Sequence, residues 1–315
     1  MRYRRFGRTE LQMPVFSCGG MRYQKSWNEI KPEEVPAANQ ENLEATIRRS
    51  LELGINHIET ARGYGSSEMQ LGWLLPKLPR DEMIVQTKVV PGPDPKAFEA
   101  ALEKSLGLLN LDYVDLLGIH GINNQELLDW TMRDGGCMEV AKRYQREGRV
   151  RHIGFSTHAP EPIITQAIET DAFDYVNLHW YYIFQENWAS VEAATRHDMG
   201  VFIISPNAKG GLLYKPSPTL LDLCAPLTPM AFNDLFCLLR PEVHTLSLGA
   251  SCPTDFDAHL EALTRFDEAA DLIPPIVARL RAHAVEKVGE EWLNHFLEGV
   301  PRWSEVPGEV NLRII

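Results

Sequence analysis

The chain has 315 residues, 44% of them hydrophobic, enough to bury a large core as one α/β barrel or as two domains. A formal net charge of −12 argues against nucleic acid or an anionic membrane as the main partner, but leaves room for an anionic cofactor in a local basic pocket. The five cysteines are dispersed without C-x-x-C spacing, which argues against zinc and iron–sulfur sites and suits reduced thiols; with no apolar signal core and no membrane-length run, the expectation is a cytoplasmic protein.

Apolar strand-like runs alternate with helical patterns almost throughout. The predicted strands cover residues 14–20, 56–61, 83–89, 113–121, 150–157, 175–180, 200–206 and 244–250. They are apolar on both faces rather than alternating, as parallel strands covered on both sides must be. Between the first two, Leu43, Ile47 and Leu51 recur at helical spacing before Gly54, a C-terminal stop. Asp94 and Pro95 read as an N-cap and first helical residue, followed by a stripe of Phe98, Leu102, Leu106 and Leu109. Pro253 opens a later helix carrying Phe256, Leu260 and Leu263.

Eight such alternations without a break in composition predict an α/β fold, a (β/α)8 TIM barrel over residues 1–270. No G-x-G-x-x-G follows the first strand, which weighs against a doubly wound sheet. Residues 209–227 form an overlong connection expected over the C-terminal face, where barrels bind ligands. Residues 271–315 are expected to form extra C-terminal helices, over 272–288 and 291–297, packed on the barrel.

Four ionisable residues fall at or just past successive strand ends: Glu59, Tyr64, Lys88 and His120. Neighbouring strands lie about 4.8 Å apart, so these side chains can converge. A phenol with an ordinary pKa of about 10 is a poor proton donor at neutral pH, and an adjacent ammonium is expected to lower it. A carboxylate beside the lysine would hold it charged, and a histidine near the phenol would orient a carbonyl oxygen. The set suits protonating an oxygen while something else attacks the carbon.

The motifs that carry these residues resemble the aldo-keto reductase superfamily. They are Gly54-Ile55-Asn56-His57-Ile58-Glu59-Thr60-Ala61 with Tyr64-Gly65-Ser66-Ser67-Glu68, then Gln86-Thr87-Lys88, then Leu111-Asp112-Tyr113-Val114-Asp115-Leu116-Leu117 to His120, and Gly148-Arg149-Val150-Arg151-His152-Ile153-Gly154-Phe155-Ser156. The similarity is greatest to a branch that often carries a C-terminal iron–sulfur module, for which this chain lacks clustered cysteines. The resemblance implies a barrel that binds NADP(H), with NAD(H) as the alternative, and reduces a small-molecule aldehyde or ketone. It makes Tyr64 the proton donor, Lys88 its tuner and His120 the orienter of the carbonyl. Glu59 stands where the family has aspartate, one methylene shorter.

The implied cofactor set is Gly20, Met21, Ser156, Thr157, Asn177, Ser205, Pro206, Asn207, Lys209, Gly210, Gly249, Ser251 and His259. Within it, Ser156 and Thr157 replace a Ser-Asn pair, and Asn177 replaces a glutamine. Ser251, before Pro253, resembles an adenosine-phosphate site at a helix N-terminus. Asp255 falls near the position of an arginine that reads the 2′-phosphate and would repel that group, with Lys209 or His259 left to compensate. These departures motivate a second reading, an NADP(H)-binding regulatory or sensing barrel with little turnover. Trp27, Trp180, Tyr181, Tyr182 and Phe184 are candidates for a substrate pocket. His152, His158 and His179 lie on neighbouring strands, but no carboxylate or cysteine spacing supports a metal there, so none is expected. The oligomeric state is left open by the sequence.

Overall fold

The structure is a computed structural model. It describes residues 1–313, the side chains of Lys209 and Gly210 excepted. Ten strands form. The first two, β1 (Tyr3–Arg5) and β2 (Gln12–Pro14), pair antiparallel in a small hairpin. The other eight are β3 (Phe16–Gly19), β4 (His57–Glu59), β5 (Ile84–Val89), β6 (Val114–Ile119), β7 (Val150–Ser156), β8 (Tyr175–Leu178), β9 (Gly200–Ile203) and β10 (Thr245–Leu248). They close in sequence order into an all-parallel barrel, with β10 returning to β3. The predicted (β/α)8 TIM barrel is therefore the fold.

Twelve α-helices are described: α1 (Ala37–Glu52), α2 (Ser67–Gly72), α3 (Pro95–Leu109), α4 (Gln125–Met132), α5 (Cys137–Arg146), α6 (Glu161–Glu169), α7 (Trp188–Arg196), α8 (Pro218–Cys224), α9 (Pro229–Leu238), α10 (Asp257–Thr264), α11 (Ala269–Val288) and α12 (Glu290–His295). α3 shows how the sequence sets an element. Asp94 accepts a hydrogen bond from the Lys96 amide at 2.9 Å, Pro95 takes the first turn, and Asn110 ends the helix in the left-handed conformation. Its stripe of Phe98, Leu102, Leu106 and Leu109 is buried against the barrel.

The hairpin closes one end of the barrel. Phe6 and Met13 pack with Ile84, Leu116, Tyr175 and Phe202 in a core of their own. At the other end β4 finishes on Glu59 and β7 on Ser156, Lys88 is the penultimate residue of β5, and His120 follows β6. The long connection after β9 is not structureless: it holds a 3-10 turn over Lys209–Tyr214 and then α8, capped by Ser217. α11 starts three residues earlier than expected and packs against α8 and α9, burying Ile273 and Ile276. Among the described residues no helix is long and apolar enough to cross a membrane.

Candidate active site

β4 and β5 are in register with Glu59 beside Gln86, so the ends of both strands deliver their polar side chains to one rim. Glu59 and Lys88 are almost fully buried and form an ion pair. The Lys88 Nζ also donates to the Thr60 carbonyl at 2.9 Å and to the Tyr64 Oη at 3.3 Å. The Tyr64 hydroxyl lies 3.4 Å from Glu59 Oε1. His120 stands edge-on to the Tyr64 ring, with centroids 5.8 Å apart, and its Nδ1 is buried without a partner among the described residues. All four residues line one cavity of about 370 Å³. Glu59 Oε2 accepts from the Gly20 amide at 3.4 Å. A Cβ on Gly20 would meet the Glu59 carbonyl at 2.5 Å.

Electrostatics differ from the expectation in one respect. Burial pushes the Tyr64 phenol up, not down. Burial also pushes the Lys88 ammonium well below its ordinary value, while the adjoining Glu59 carboxylate favours its charged form. The phenol therefore stays protonated, as a donor must. His120 falls to about 3 through burial, then through the charges of Lys88 and His158, so its imidazole is neutral.

Tyr64 is placed by its loop. Gly65 takes a left-handed φ of 54°, and a Cβ there would meet the Ser26 carbonyl at 2.0 Å. This close approach sets Trp27 edge-on to Tyr64, with centroids 6.0 Å apart. Behind the loop, buried Glu68 accepts from Thr87 Oγ1 at 2.6 Å and pairs with Arg62, which also pairs with Glu29.

The expected cofactor residues divide. Met21, Ser156, Ser205, Asn207 and Gly249 line the cavity. Asn177 is the register partner of Ser156 and fully buried, with both amide atoms unpartnered among the described residues. An orphaned amide beside the cavity is a polar group waiting for a partner, and it fits a carboxamide. Four residues are held elsewhere. The Thr157 hydroxyl donates to the Ile122 carbonyl at 2.7 Å and accepts from the Ala159 amide. The Pro206 carbonyl accepts from Asn233 Nδ2 at 2.6 Å. Ser251 donates from both its amide and its hydroxyl to Asp255 Oδ2, each at 2.7 Å, so a carboxylate already fills that helix N-terminus. His259 is fully buried between Asp234 and Tyr214. Lys209 and Gly210 lie outside the described side chains.

Of the predicted aromatic set, Trp27 reaches this cavity. Trp180 is buried and stacked on Phe236, and Tyr181 and Tyr182 line a separate apolar cavity against α11. Phe184 packs on Tyr181, to which its amide donates at 2.8 Å. His158 and His179 hydrogen-bond each other at 2.9 Å. The sequence reading missed Arg22 and Ser247, which also line the cavity; Arg22 donates to the Gly249 carbonyl at 2.9 Å. A lone arginine two residues past Gly20, at the end of the first barrel strand, was the available signal.

A parallel eight-stranded barrel that gathers a phenol, an ammonium, a carboxylate and an imidazole at its strand ends is the class of structure here, and such a set can pass a proton to a bound oxygen. Comparison with known proteins makes the class specific. The sequence model of the Aldo/keto reductase family matches residues 16–219, and the chain belongs to that family, whose members are oxidoreductases. It is 32% identical over 220 residues to an aldo-keto reductase of Mycobacterium avium (strain 104), covering 67% of this chain and 68% of that one. It is 30% identical to the L-glyceraldehyde 3-phosphate reductase of Escherichia coli (strain K12) over 177 residues, 51% of this chain but only 46% of that enzyme. In fold it resembles an aldo-keto reductase from Bacillus halodurans in its holo form, at a TM-score of 0.70, 21% identity and coverage of 86% of this chain and 96% of that one. An aldo/keto reductase from Klebsiella pneumoniae in complex with NADP and acetate matches at a TM-score of 0.67 and 20% identity, covering 87% of this chain and 96% of that one.

Proposed function

We propose that this chain is a nicotinamide-dependent carbonyl reductase in which Tyr64 protonates the oxygen of a small aldehyde or ketone. One observation carries the reading: the Tyr64 hydroxyl opens on the cavity within hydrogen-bonding reach of both Lys88 and Glu59. A nicotinamide held by these residues would supply a hydride for the carbonyl carbon. Tyr64, kept protonated by burial, gives its proton to the oxygen, and the Lys88 ammonium stabilises the phenolate left behind. Glu59 holds Lys88 in place and charged. Neutral His120 donates an N–H to the carbonyl oxygen and so orients it.

Asn177 and Ser156 suit the carboxamide end of the cofactor, and Ser205, Asn207, Gly249 and Arg22 suit the rest. NADP(H) is favoured by family membership and by the NADP in the Klebsiella relative. At Ser251, however, the residues do not fit a 2′-phosphate, because Asp255 accepts the same two donors and repels an anion. NAD(H) is therefore the competing ligand. The test is purified protein with NADPH or NADH and a panel of reactive aldehydes. Oxidation of either cofactor that disappears in Tyr64→Phe is expected; turnover untouched by that change would remove the role of Tyr64. The second reading, an NADP(H)-binding regulatory or sensing barrel with little turnover, is motivated by Glu59 in place of aspartate and by Thr157, whose hydroxyl is held by Ile122 and Ala159. Dinucleotide binding with no turnover on any carbonyl would select it.

A further inference from the structure

A hydrogen-bond chain runs from the candidate cavity into the protein interior without using any of the four strand-end groups. It starts at Asn207, which lines the cavity and is 6% exposed. Asn207 Nδ2 lies 3.2 Å from Tyr214 Oη. That oxygen lies 3.1 Å from His259 Nε2, and His259 Nδ1 lies 2.6 Å from Asp234 Oδ2. Asp234 and His259 are fully buried.

With Asp234 ionised and the His259 imidazole neutral, donor counting gives this chain a single direction. A carboxylate only accepts, so the His259 proton sits on Nδ1 and points at Asp234. His259 Nε2 is then an acceptor and takes the one hydroxyl proton of Tyr214. The Tyr214 oxygen, having given its proton away, accepts from Asn207 Nδ2. The amide of Asn207 is thereby locked, and its Oδ1 is left buried and unpartnered among the described residues. The backbone around it is held just as firmly. Ser205 and Ala208, neither of them glycine, take left-handed φ values of 55° and 57°, and Asn233 pins the Pro206 carbonyl between them.

We infer that Asp234, His259 and Tyr214 are positioning residues that fix Asn207 as a hydrogen-bond acceptor in the cavity, there to take a hydroxyl or amide N–H of the bound dinucleotide. The inference rests on the dinucleotide-binding function proposed above. It assigns His259 a role through Asn207 rather than against the 2′-phosphate. Asp234 acts only as the carboxylate that sets direction. In Asp234→Asn the new amide can donate to His259, so the chain can run backwards and present Asn207 Nδ2 instead.

Two measurements test this. Nitrogen-15 NMR of labelled histidine should find the His259 proton on Nδ1 in the wild type, and partly or wholly on Nε2 in Asp234→Asn. Fluorescence titration with NADH and with NADPH should show about tenfold weaker binding of the preferred dinucleotide in Asp234→Asn. Tyr214→Phe, which removes one hydroxyl and keeps the ring, should weaken it similarly. In an Asn207→Ala background the Asp234→Asn penalty should vanish, because Asp234 acts through Asn207. A penalty that persists in that background, unchanged affinity in both single variants, or a wild-type proton on Nε2 would each overturn the inference. Wild-type protein that binds neither dinucleotide would overturn the proposed function and the ligand half of this inference, while the tautomer measurement would still decide the direction of the chain.

Discussion

At the scale of single residues, the site depends on burying charge and then compensating it. Glu59 and Lys88 sit below the surface, where an unpaired ion costs several kcal/mol and a removed partner is far costlier than a surface pair. Glu59→Gln leaves the Lys88 ammonium without its carboxylate, and burial then drives it towards the neutral amine. We expect turnover to fall at least about tenfold and stability to drop by about 3–5 kcal/mol; full activity in a steady-state assay would make Glu59 a bystander. Glu59→Asp restores the shorter carboxylate of the family and should retain or raise turnover. The protonation states also set a pH profile. His120 is neutral above about 3, and burial holds the Tyr64 phenol above its ordinary value of about 10. The rate kcat/KM for reduction should therefore show no limb from His120 near pH ~6.5. A limb there that disappears in His120→Gln would mean the imidazole works in its charged form.

At the scale of elements, the loop after β4 does as much as the side chains it carries. Gly65→Ala forces a Cβ against the Ser26 carbonyl and strains a left-handed residue. It should separate the Tyr64 and Trp27 loops, lowering turnover by about tenfold or more through misplacement of the donor; equal kcat in wild type and variant would show that the loops tolerate separation. The strands, the caps of α3 and the four strand-end groups were legible in the sequence because each has a local cause: apolar runs, an Asp-Pro start, a polar residue ending a strand. The hairpin of β1 and β2 was not, since its burial of Phe6 depends on barrel residues far along the chain. Nor was the burial of His259, or the capture of Ser251 by Asp255. Resemblance placed both in the cofactor site; the His259 bond to Asp234 is long-range and has no spacing signature, and the Asp255 capture, though local, is one of several side-chain geometries open to a Ser-x-x-x-Asp pair. The rise of the Tyr64 phenol escaped for a similar reason, because charge proximity can be guessed from strand ends whereas desolvation needs the packed barrel.

At the scale of the whole molecule, the barrel holds neutral histidines at several depths, from the core to the cavity wall. His57 is fully buried against Ser17 Oγ at 2.6 Å, and burial with the nearby Lys88 charge lowers it to about 3. His120 is lowered to about 3 and His244 to about 4, both chiefly by burial. Unfolded, each would titrate near ~6.5. Between those values the unfolded chain binds more protons than the folded one, so stability is complete above pH ~6.5 and is lost as the pH falls towards the folded values. His197 has the opposite sign, since Glu169 and Asp171 raise it, but that cluster is on the surface and weakened by solvent and salt. The buried set should prevail. Thermal melts should give a Tm that is flat from pH ~8 to ~7 and declines from pH ~6.5 to ~4.5, before carboxylate protonation dominates. His57→Gln, which removes one titrating group from the core, should flatten that decline even where it lowers the Tm at neutral pH. A Tm independent of pH across the window would mean that the histidines are solvated and that the lower core is looser than its packing indicates.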